Sequence, residues 1–175
     1  MLEIVTPTSP DALDAVRALM RDFVAWHRQR HAAELDLVDA YFDAAAFERE
    51  LAGLPGAYGP PDGALLLARV DGAPAGCVGL RRLAPDCAEM KRMFVRPQYH
   101  GQGVGRALAE AILAAASAAG YARMRLDTGR RQVEAQALYR RLGFTPIAPY
   151  YPLPNAVRDW LVFMERPLTA ADARP

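Results

Sequence analysis

One stretch of the sequence, MFVRPQYHGQGVGRAL (residues 93–108), decides the fold. An extended apolar segment ends at Val95, Pro97 stops it, and three alternate glycines then open a helix rich in Ala and Leu. Glycines in such a turn let successive backbone N–H groups point into one concavity, and the helix N-terminus adds about half a positive charge. The stretch therefore predicts a strand, a turn that binds phosphate or pyrophosphate, and a helix.

Two common phosphate-binding motifs do not fit this turn. The dinucleotide pattern G-x-G-x-x-G would start at Gly101 and Gly103 and would need a glycine where Arg106 stands. The nucleoside-triphosphate pattern G-x-x-x-x-G-K-[ST] needs a Gly-Lys pair, which the sequence lacks. Taken on the glycines alone, a connection that binds no ligand stays open as an alternative.

Periodicity on both sides of the turn predicts the other elements. We expect strands at 2–5, 64–70, 74–83, 87–95, 122–127, 144–147 and 158–165, and helices at 9–29, 38–51, 103–119 and 132–142. Ser9 is the expected N-cap of the first helix, with Pro10 at its first position. Asp71-Gly72 predicts a tight hairpin turn, and the Gly- and Pro-rich segment 53–63 predicts a loop. Hairpins followed by alternating strands and helices indicate a mixed α/β sheet.

Composition limits the class of protein. The chain has 175 residues, 52% of them hydrophobic, with 21 Lys+Arg against 20 Asp+Glu and a net charge of +1. A chain of this size buries about 70% of its unfolded surface, so we predict a single domain over 1–168 and a flexible tail over 169–175. The balanced charge disfavours a surface for nucleic acid, and we expect no nucleic-acid partner.

Other classes are disfavoured by single features. Cys77 and Cys87 are too few for a disulfide scaffold and lack metal-ligand spacing, so we expect no metal site and a reducing compartment. His27 and His31 are four residues apart but have no third ligand in the pattern, which predicts a solvated helix end. The N-terminus has no signal-peptide pattern, and charges interrupt the apolar stretch 104–122. We therefore expect a cytoplasmic protein with no membrane partner.

The turn and its flanks resemble the GCN5-related N-acetyltransferase (GNAT) family. The acyl-CoA turn of that family has the pattern [QR]-x-x-G-x-[GA], which falls on 100–105 with His100 in place of Gln or Arg. EMKRMFVRP (89–97) is similar to the family's cofactor strand, and AQALYRRLGF (135–144) to its second signature, A-x-x-L-Y-x-x-x-G-F. The similarity covers about residues 64–165.

The resemblance implies a fold and a reaction. The implied GNAT fold is α/β, with a central, mostly antiparallel sheet that is splayed between its fourth and fifth strands and flanked by helices. The implied reaction moves an acetyl group from acetyl-CoA directly to a primary amine of a small molecule or peptide within a ternary complex, and family members often pair as homodimers. The resemblance places the cofactor against Met93, Phe94, Val95, His100, Gly101, Gln102, Gly103, Val104, Gly105 and Arg106.

The resemblance also implies catalytic roles. The amide N–H of Val95 would face the thioester oxygen. Tyr139 would hydrogen-bond to the leaving thiolate or protonate it, with a phenol pKa of about 10 beside a thiol pKa near 8.5. Alternatively, it is one more apolar face residue of its helix. Glu89 lies six residues before Val95, so on an unbroken strand the two side chains share a face. It is a base for the acceptor amine, an anchor for the substrate ammonium, or an ion-pair partner of Lys91 or Arg92.

The sequence is less specific about the residues that would bind the acceptor. Tyr150 and Tyr151 either line a substrate pocket or stiffen a proline-rich loop. Arg106, Arg130 and Arg131 are candidates for the 3′-phosphate of coenzyme A. The identity of the acceptor stays open. A second kind of protein also stays open, an acyl-CoA-binding sensor or regulatory module that keeps the cofactor turn without turnover.

Overall fold

Seven strands form one mixed sheet in the computed structural model, which describes residues 1–173. The strands are β1 (Leu2–Val5), β2 (Ala64–Val70), β3 (Ala73–Ala84), β4 (Cys87–Val95), β5 (Arg123–Gly129), β6 (Thr145–Ile147) and β7 (Leu161–Pro167). Their order is β1-β2-β3-β4-β5-β7-β6, with β4 and β5 parallel and the other neighbours antiparallel. This mixed sheet confirms the predicted fold class.

Within residues 1–173, six α-helices flank the sheet. They are α1 (Pro10–Arg30), α2 (Leu35–Tyr41), α3 (Ala44–Ala52), α4 (Val104–Ala118), α5 (Val133–Arg141) and α6 (Asn155–Trp160). The predicted cap is confirmed, because the Ser9 side chain accepts the Ala12 N–H at 3.2 Å and Pro10 begins α1. The predicted hairpin turn is also confirmed, with φ of 49° at Asp71 and 81° at Gly72.

Two element predictions are wrong. The single helix expected over 38–51 is interrupted after Tyr41, because the Asp43 carboxylate accepts the Ala46 N–H at 2.7 Å and starts α3 as a new helix. The last strand, expected from 158, begins at Leu161. Residues 155–160 form α6 instead, since helical spacing buries Val157 and Trp160 together against α2.

The two faces of the sheet have separate cores. On one face, α4 buries Leu108 and Ile112 against sheet residues such as Met124. On the other face, α1 buries Leu19 and Met20 against β2 and β3. A third cluster joins α2 to α6 beside this second face. The sheet is therefore clamped between helices, and truncating one fully buried leucine would cost about 2–5 kcal/mol.

Strands β4 and β5 separate soon after they meet. They pair over three residues, with Cys87 opposite Arg123 and Glu89 opposite Arg125. Beyond that point, the Arg96 N–H donates to the Ala75 carbonyl of β3 at 2.9 Å. Successive N–H groups of a strand point to opposite edges, so the Val95 N–H points to the edge that β5 has left. The splay implied by the family resemblance is thus present.

A β-bulge lies in β4 just before the splay. Gly79 of β3 pairs with Lys91, but Cys77, two residues away, pairs with Phe94, so β4 holds one extra residue. Arg92 has a φ of 56°, in the left-handed region that non-glycine residues rarely occupy. The bulge therefore fixes Arg92 in a strained conformation.

The bulge changes which side chains share a face. Met90, Met93 and Val95 pack in the core beneath α4. Glu89 instead contacts Arg81 and belongs to the opposite face. The prediction that Glu89 and Val95 share a face is wrong, because it assumed an unbroken strand and the extra residue reverses the alternation.

Arg92 ties the bulge to α3. Its guanidinium donates to both oxygens of Glu50, at 2.9 and 2.7 Å, and lies 5.4 and 5.3 Å from the ring centres of Phe42 and Phe47. Tyr58 also donates to Glu50, at 2.8 Å. Burial acts to raise the pKa of Glu50, but the bonds and charge of Arg92 outweigh it and the pKa is lowered.

The C-terminal end makes specific contacts. The Ser117 hydroxyl donates to the Thr169 carbonyl at 2.9 Å, and the Thr169 N–H donates to Asp172 at 2.8 Å. Of the tail expected over 169–175, residues 174 and 175 lie outside the described residues. Among residues 1–173, no helix has the length and apolar character needed to cross a membrane.

The Glu50–Arg92 pair should stabilise the fold in a pH-dependent way. Glu50→Gln leaves a largely buried guanidinium without a charged partner and should lower the free energy of unfolding by about 2–3 kcal/mol at pH 7. The folded-state pKa of Glu50 is below its unfolded value, so the difference should be full above the unfolded pKa and should vanish as the pH falls through the folded one. Urea denaturation from pH 7 to pH 3 measures it.

Glu48→Gln is the matched control. Glu48 lies on the same helix and pairs with Arg21, but both side chains are more than half exposed. Glu48→Gln should lower the free energy of unfolding by much less. Equal losses in the two variants would contradict the role given to the Glu50–Arg92 pair.

Candidate active site

A cavity of about 490 Å³ lies where β4 and β5 separate. One side is formed by the glycine turn, the start of α4 and Tyr139 of α5. The other side is formed by α1 and α2, with Tyr41 at its wall. Lys91 of β4 and Asp127 of β5 line it from the two separated strands. The splay thus opens a continuous space from the turn to the α1–α2 face.

The glycine turn has the backbone that its sequence requires. Gly101 and Gly103 have φ of 77° and 80°, which only glycine adopts without strain. A Cβ at either position would meet no atom within 4 Å, so both glycines border open space. Gly103 is the N-cap of α4, and the first N–H groups of that helix have no intrahelical partners. An anion at the cavity end of α4 would find these donors free.

Nearly all the predicted cofactor residues come together at this cavity. It is lined by Met93, Phe94, Val95, His100, Gly101, Gly103, Val104, Gly105 and Arg106. Gln102 is the exception, since its amide donates to the Gln98 carbonyl within the turn at 3.0 Å. His100, where the family pattern has Gln or Arg, places its Nε2 atom 2.8 Å from the Val95 carbonyl oxygen. The histidine thereby ties the turn to the end of β4.

The arginines predicted for a phosphate are spread apart. Arg106 lines the cavity and pairs with Glu110 one helical turn later, at 2.7 Å. Arg130 and Arg131 do not line it, and Arg131 pairs with Glu34 at 3.0 Å. Arg141, which sequence reasoning missed, does line the cavity.

Tyr139 lies on α5 with its side chain in the cavity wall. It is 5% exposed, and its ring packs edge-on against Phe144 at 5.8 Å. Burial raises the pKa of Tyr139, and the charge of Asp127 raises it further. The phenol therefore keeps its proton throughout the neutral range and can serve as a hydrogen-bond or proton donor.

Glu89 is fully buried and does not line the cavity. Its carboxylate accepts from Arg81 Nε at 2.7 Å and from the Tyr150 hydroxyl at 2.8 Å. Lys91 Nζ is 3.8 Å away. Of the three interpretations left open by the sequence, these contacts support the ion pair, although its main partner is Arg81 rather than Lys91 or Arg92.

The two tyrosines predicted for a substrate pocket donate hydrogen bonds to the buried carboxylates of Glu89 and Asp127. Tyr150 donates to Glu89, and Tyr151 donates to Asp127 at 2.9 Å. Neither lines the main cavity, although Tyr151 lines a separate, more open cleft beside β7. The tyrosines thus hold the Glu89 and Asp127 carboxylates in place.

A cluster that sequence reasoning missed joins Lys91, Asp127 and Tyr41. Lys91 Nζ donates to Asp127 Oδ2 and to the Tyr41 hydroxyl, each at 3.0 Å, and Tyr41 donates to Asp127 Oδ1. Burial acts to lower the pKa of Lys91, but the charges of Asp127 and Glu89 outweigh it and the pKa is raised. Burial likewise acts to raise the pKa of Asp127, and Lys91 outweighs it. The cluster therefore holds one cation and one anion at neutral pH.

The two histidines of α1 are buried, so the predicted solvated helix end is wrong. The Gln132 amide donates to His27 at 2.8 Å, and Thr128 donates to Gln132 at 2.8 Å. Burial, with the nearby charges, lowers the pKa of His27 to about 3, and the ring is neutral at pH 7. His31 stacks on His27 at 5.6 Å. Over residues 1–173 the structure shows no group of three or more His, Cys, Asp or Glu side chains able to hold a metal ion.

Comparisons with known proteins agree with this architecture. The family model described as "Acetyltransferase (GNAT) family" matches residues 18–144. An uncharacterized N-acetyltransferase of Schizosaccharomyces pombe is 41% identical over 112 residues, covering 62% of this chain and 69% of its own. An IAA acetyltransferase of Azospirillum brasilense is 40% identical over 112 residues, covering 62% and 70%. The PaiA N-acetyltransferase of Thermoplasma acidophilum, crystallised with coenzyme A, shares the fold at a TM-score of 0.74 and 19% identity, covering 95% and 99%.

Gly103→Ala should weaken coenzyme A binding while leaving the chain folded. The new methyl group would stand in the open space that a pyrophosphate must approach, so we expect a Kd at least about tenfold higher. The left-handed backbone should cost about 1–2 kcal/mol of stability. Isothermal titration calorimetry with coenzyme A and thermal denaturation measure the two effects.

Gly120→Ala is the matched control. Gly120 has a φ of 86° with nothing within 4 Å of an added Cβ, but it lies beyond the far end of α4. It should lose similar stability and keep coenzyme A affinity. Equal affinities in the two variants would show that the turn does not hold the ligand.

Proposed function

Because this chain belongs to the GNAT family of acetyltransferases, we propose that it moves the acetyl group of acetyl-CoA directly to a primary amine of a small molecule or peptide. The chain is an acetyltransferase, and acetyl-CoA is the usual acyl donor of the family. The proposal adds the class of acceptor and the direct, ternary-complex route.

The continuous cavity carries this proposal. It joins the free N–H groups of α4, which suit a pyrophosphate, to the α1–α2 face on the other side of the splay. A donor bound along the open edge of β4 would bring its thioester to the middle of the space. An acceptor amine could then approach from the α1–α2 side, so both substrates can be present at once.

The cysteines support direct transfer rather than a covalent enzyme intermediate. Cys77 and Cys87 are both buried, and neither lines the cavity. Burial raises the pKa of Cys77 to about 12, so its thiol is a poor nucleophile. The two free thiols also support a reducing compartment, and we propose that the enzyme acts in the cytoplasm.

The thioester would react between two donors. The Val95 N–H points to the open edge of β4 and would stabilise the charge that develops on the carbonyl oxygen. Tyr139 would protonate the thiolate as it leaves. Glu89 takes the role of a positioning residue in this proposal, since it contacts Tyr150 and faces Lys91 but not the cavity.

Turnover with an amine panel tests the proposal against the sensor alternative. We expect acetyl-CoA to bind and at least one primary amine to release free thiol, followed with a thiol reagent. Binding without release across amino acids, polyamines, aromatic amines and peptides would favour the sensor or regulatory module. A failure to bind acetyl-CoA would overturn both readings.

Tyr139→Phe tests the proposed role of Tyr139 as proton donor to the thiolate. The variant should lose about 10²-fold or more in kcat, because the thiolate leaves without its proton donor, while acetyl-CoA affinity changes little. Tyr121→Phe is the control, because Tyr121 is also buried but does not line the cavity. Similar kcat values in wild type and Tyr139→Phe would remove Tyr139 from the chemistry.

A further inference from the structure

The sequence contains a single lysine. Of its 21 basic Lys and Arg residues, 20 are arginine, and the one lysine is Lys91. Arginine is always protonated and donates through a broad planar fork, whereas lysine is a compact point charge with three rotatable donors. The single lysine of this chain therefore differs in chemistry from its other Lys and Arg cations. It lies in the wall of the cavity where transfer is proposed.

Lys91 has a donor to spare. Its side chain is 10% exposed, and its ammonium carries three N–H groups. Two of them go to Asp127 and Tyr41 at 3.0 Å. Glu89 Oε1, at 3.8 Å, is too distant for a hydrogen bond, so the third N–H has no acceptor among residues 1–173. A nine-tenths buried ammonium with a free donor at the cavity indicates a ligand atom that accepts it.

The surroundings keep this ammonium charged and in place. Asp127 is 1% exposed and receives bonds from Lys91, Tyr41 and Tyr151. The Tyr41 ring lies 5.4 Å from Lys91 Nζ. Arg81 neutralises Glu89 on the far side. A single oxygen anion is the partner that suits a fixed point charge, whereas a planar carboxylate is better matched by the fork of arginine.

We propose that Lys91 is a catalytic residue that donates its free N–H to the thioester carbonyl oxygen as that oxygen becomes an oxyanion. The inference rests on the proposed function. The amine nitrogen forms a bond to the carbonyl carbon, and the carbonyl π electrons move to the oxygen. When they return, the C–S bond breaks and the thiolate takes the proton of Tyr139. The acceptor nitrogen loses its proton to water, and a proton from water restores the Tyr139 phenol. Lys91 keeps its proton throughout and lowers the barrier by its charge.

Kinetics of two variants test this role. Lys91→Met should lose about 10²–10³-fold in kcat with little change in the KM of acetyl-CoA. This substitution also leaves the Asp127 carboxylate without its cationic partner. The deciding variant therefore combines Lys91→Met with Asp127→Asn and removes both charges. The double variant should fold, as circular dichroism would show, and should remain slow. Recovery of the wild-type kcat in the double variant would mean that Lys91 only neutralises Asp127, and would overturn the proposal.

The infrared band of the bound thioester gives a readout that needs no turnover. With [1-¹³C]acetyl-CoA, the carbonyl stretch should lie at lower frequency in wild type than in the double variant, because the Lys91 hydrogen bond polarises it. This band distinguishes a failure of the Lys91 proposal from a failure of the proposed amine transfer. A protein that binds acetyl-CoA but turns over no amine can still show the shift. An identical band in both proteins would overturn the proposal. So would a kinetic loss confined to the KM of carboxylate-bearing acceptors, which would assign Lys91 to the acceptor instead.

Discussion

The separation of β4 from β5 is the constraint on which the rest of the structure depends. Two parallel neighbours that pair over three residues and then diverge leave backbone groups on an open edge inside the sheet. Unpaired backbone groups away from water are costly, so such an edge persists where a ligand or solvent can satisfy it. The bulge at Arg92 and the turn at Gly103 lie beside this opening, and helices pack on both faces of the sheet around it.

Charged side chains near the opening are compensated locally. Arg92 pairs with Glu50, Arg81 with Glu89 and Lys91 with Asp127, each within 3.0 Å. A buried ion pair adds little to stability compared with apolar packing, but removing one partner is expensive. The pairs therefore fix the positions of these side chains, and losing one partner costs the fold more than the intact pair contributes over apolar packing. They place hydrogen-bond donors at the cavity wall, and the supporting tyrosines limit how far these can move.

The sequence predicted the local elements well because their signals are local. The glycine turn, the cap at Ser9 and the turn at Asp71 are each encoded by a few adjacent residues, and all are present. The bulge in β4 carried no such signal, since Arg92 is not a residue type that favours positive φ. Because the sequence did not reveal the bulge, it predicted the wrong sheet face for Glu89.

The Lys91–Asp127–Tyr41 cluster was missed because its members lie 36 to 86 residues apart and meet only through the sheet order.

The amide resonance of Val95 tests the central claim most directly. In ¹H–¹⁵N spectra, replacing coenzyme A with acetyl-CoA adds only the acetyl group to the bound ligand. A thioester oxygen at the open edge of β4 should shift the Val95 amide strongly downfield, while the Arg96 amide, already bonded to Ala75, should hardly move. Equal and small changes at both amides would show that the acetyl group binds elsewhere and would contradict the account.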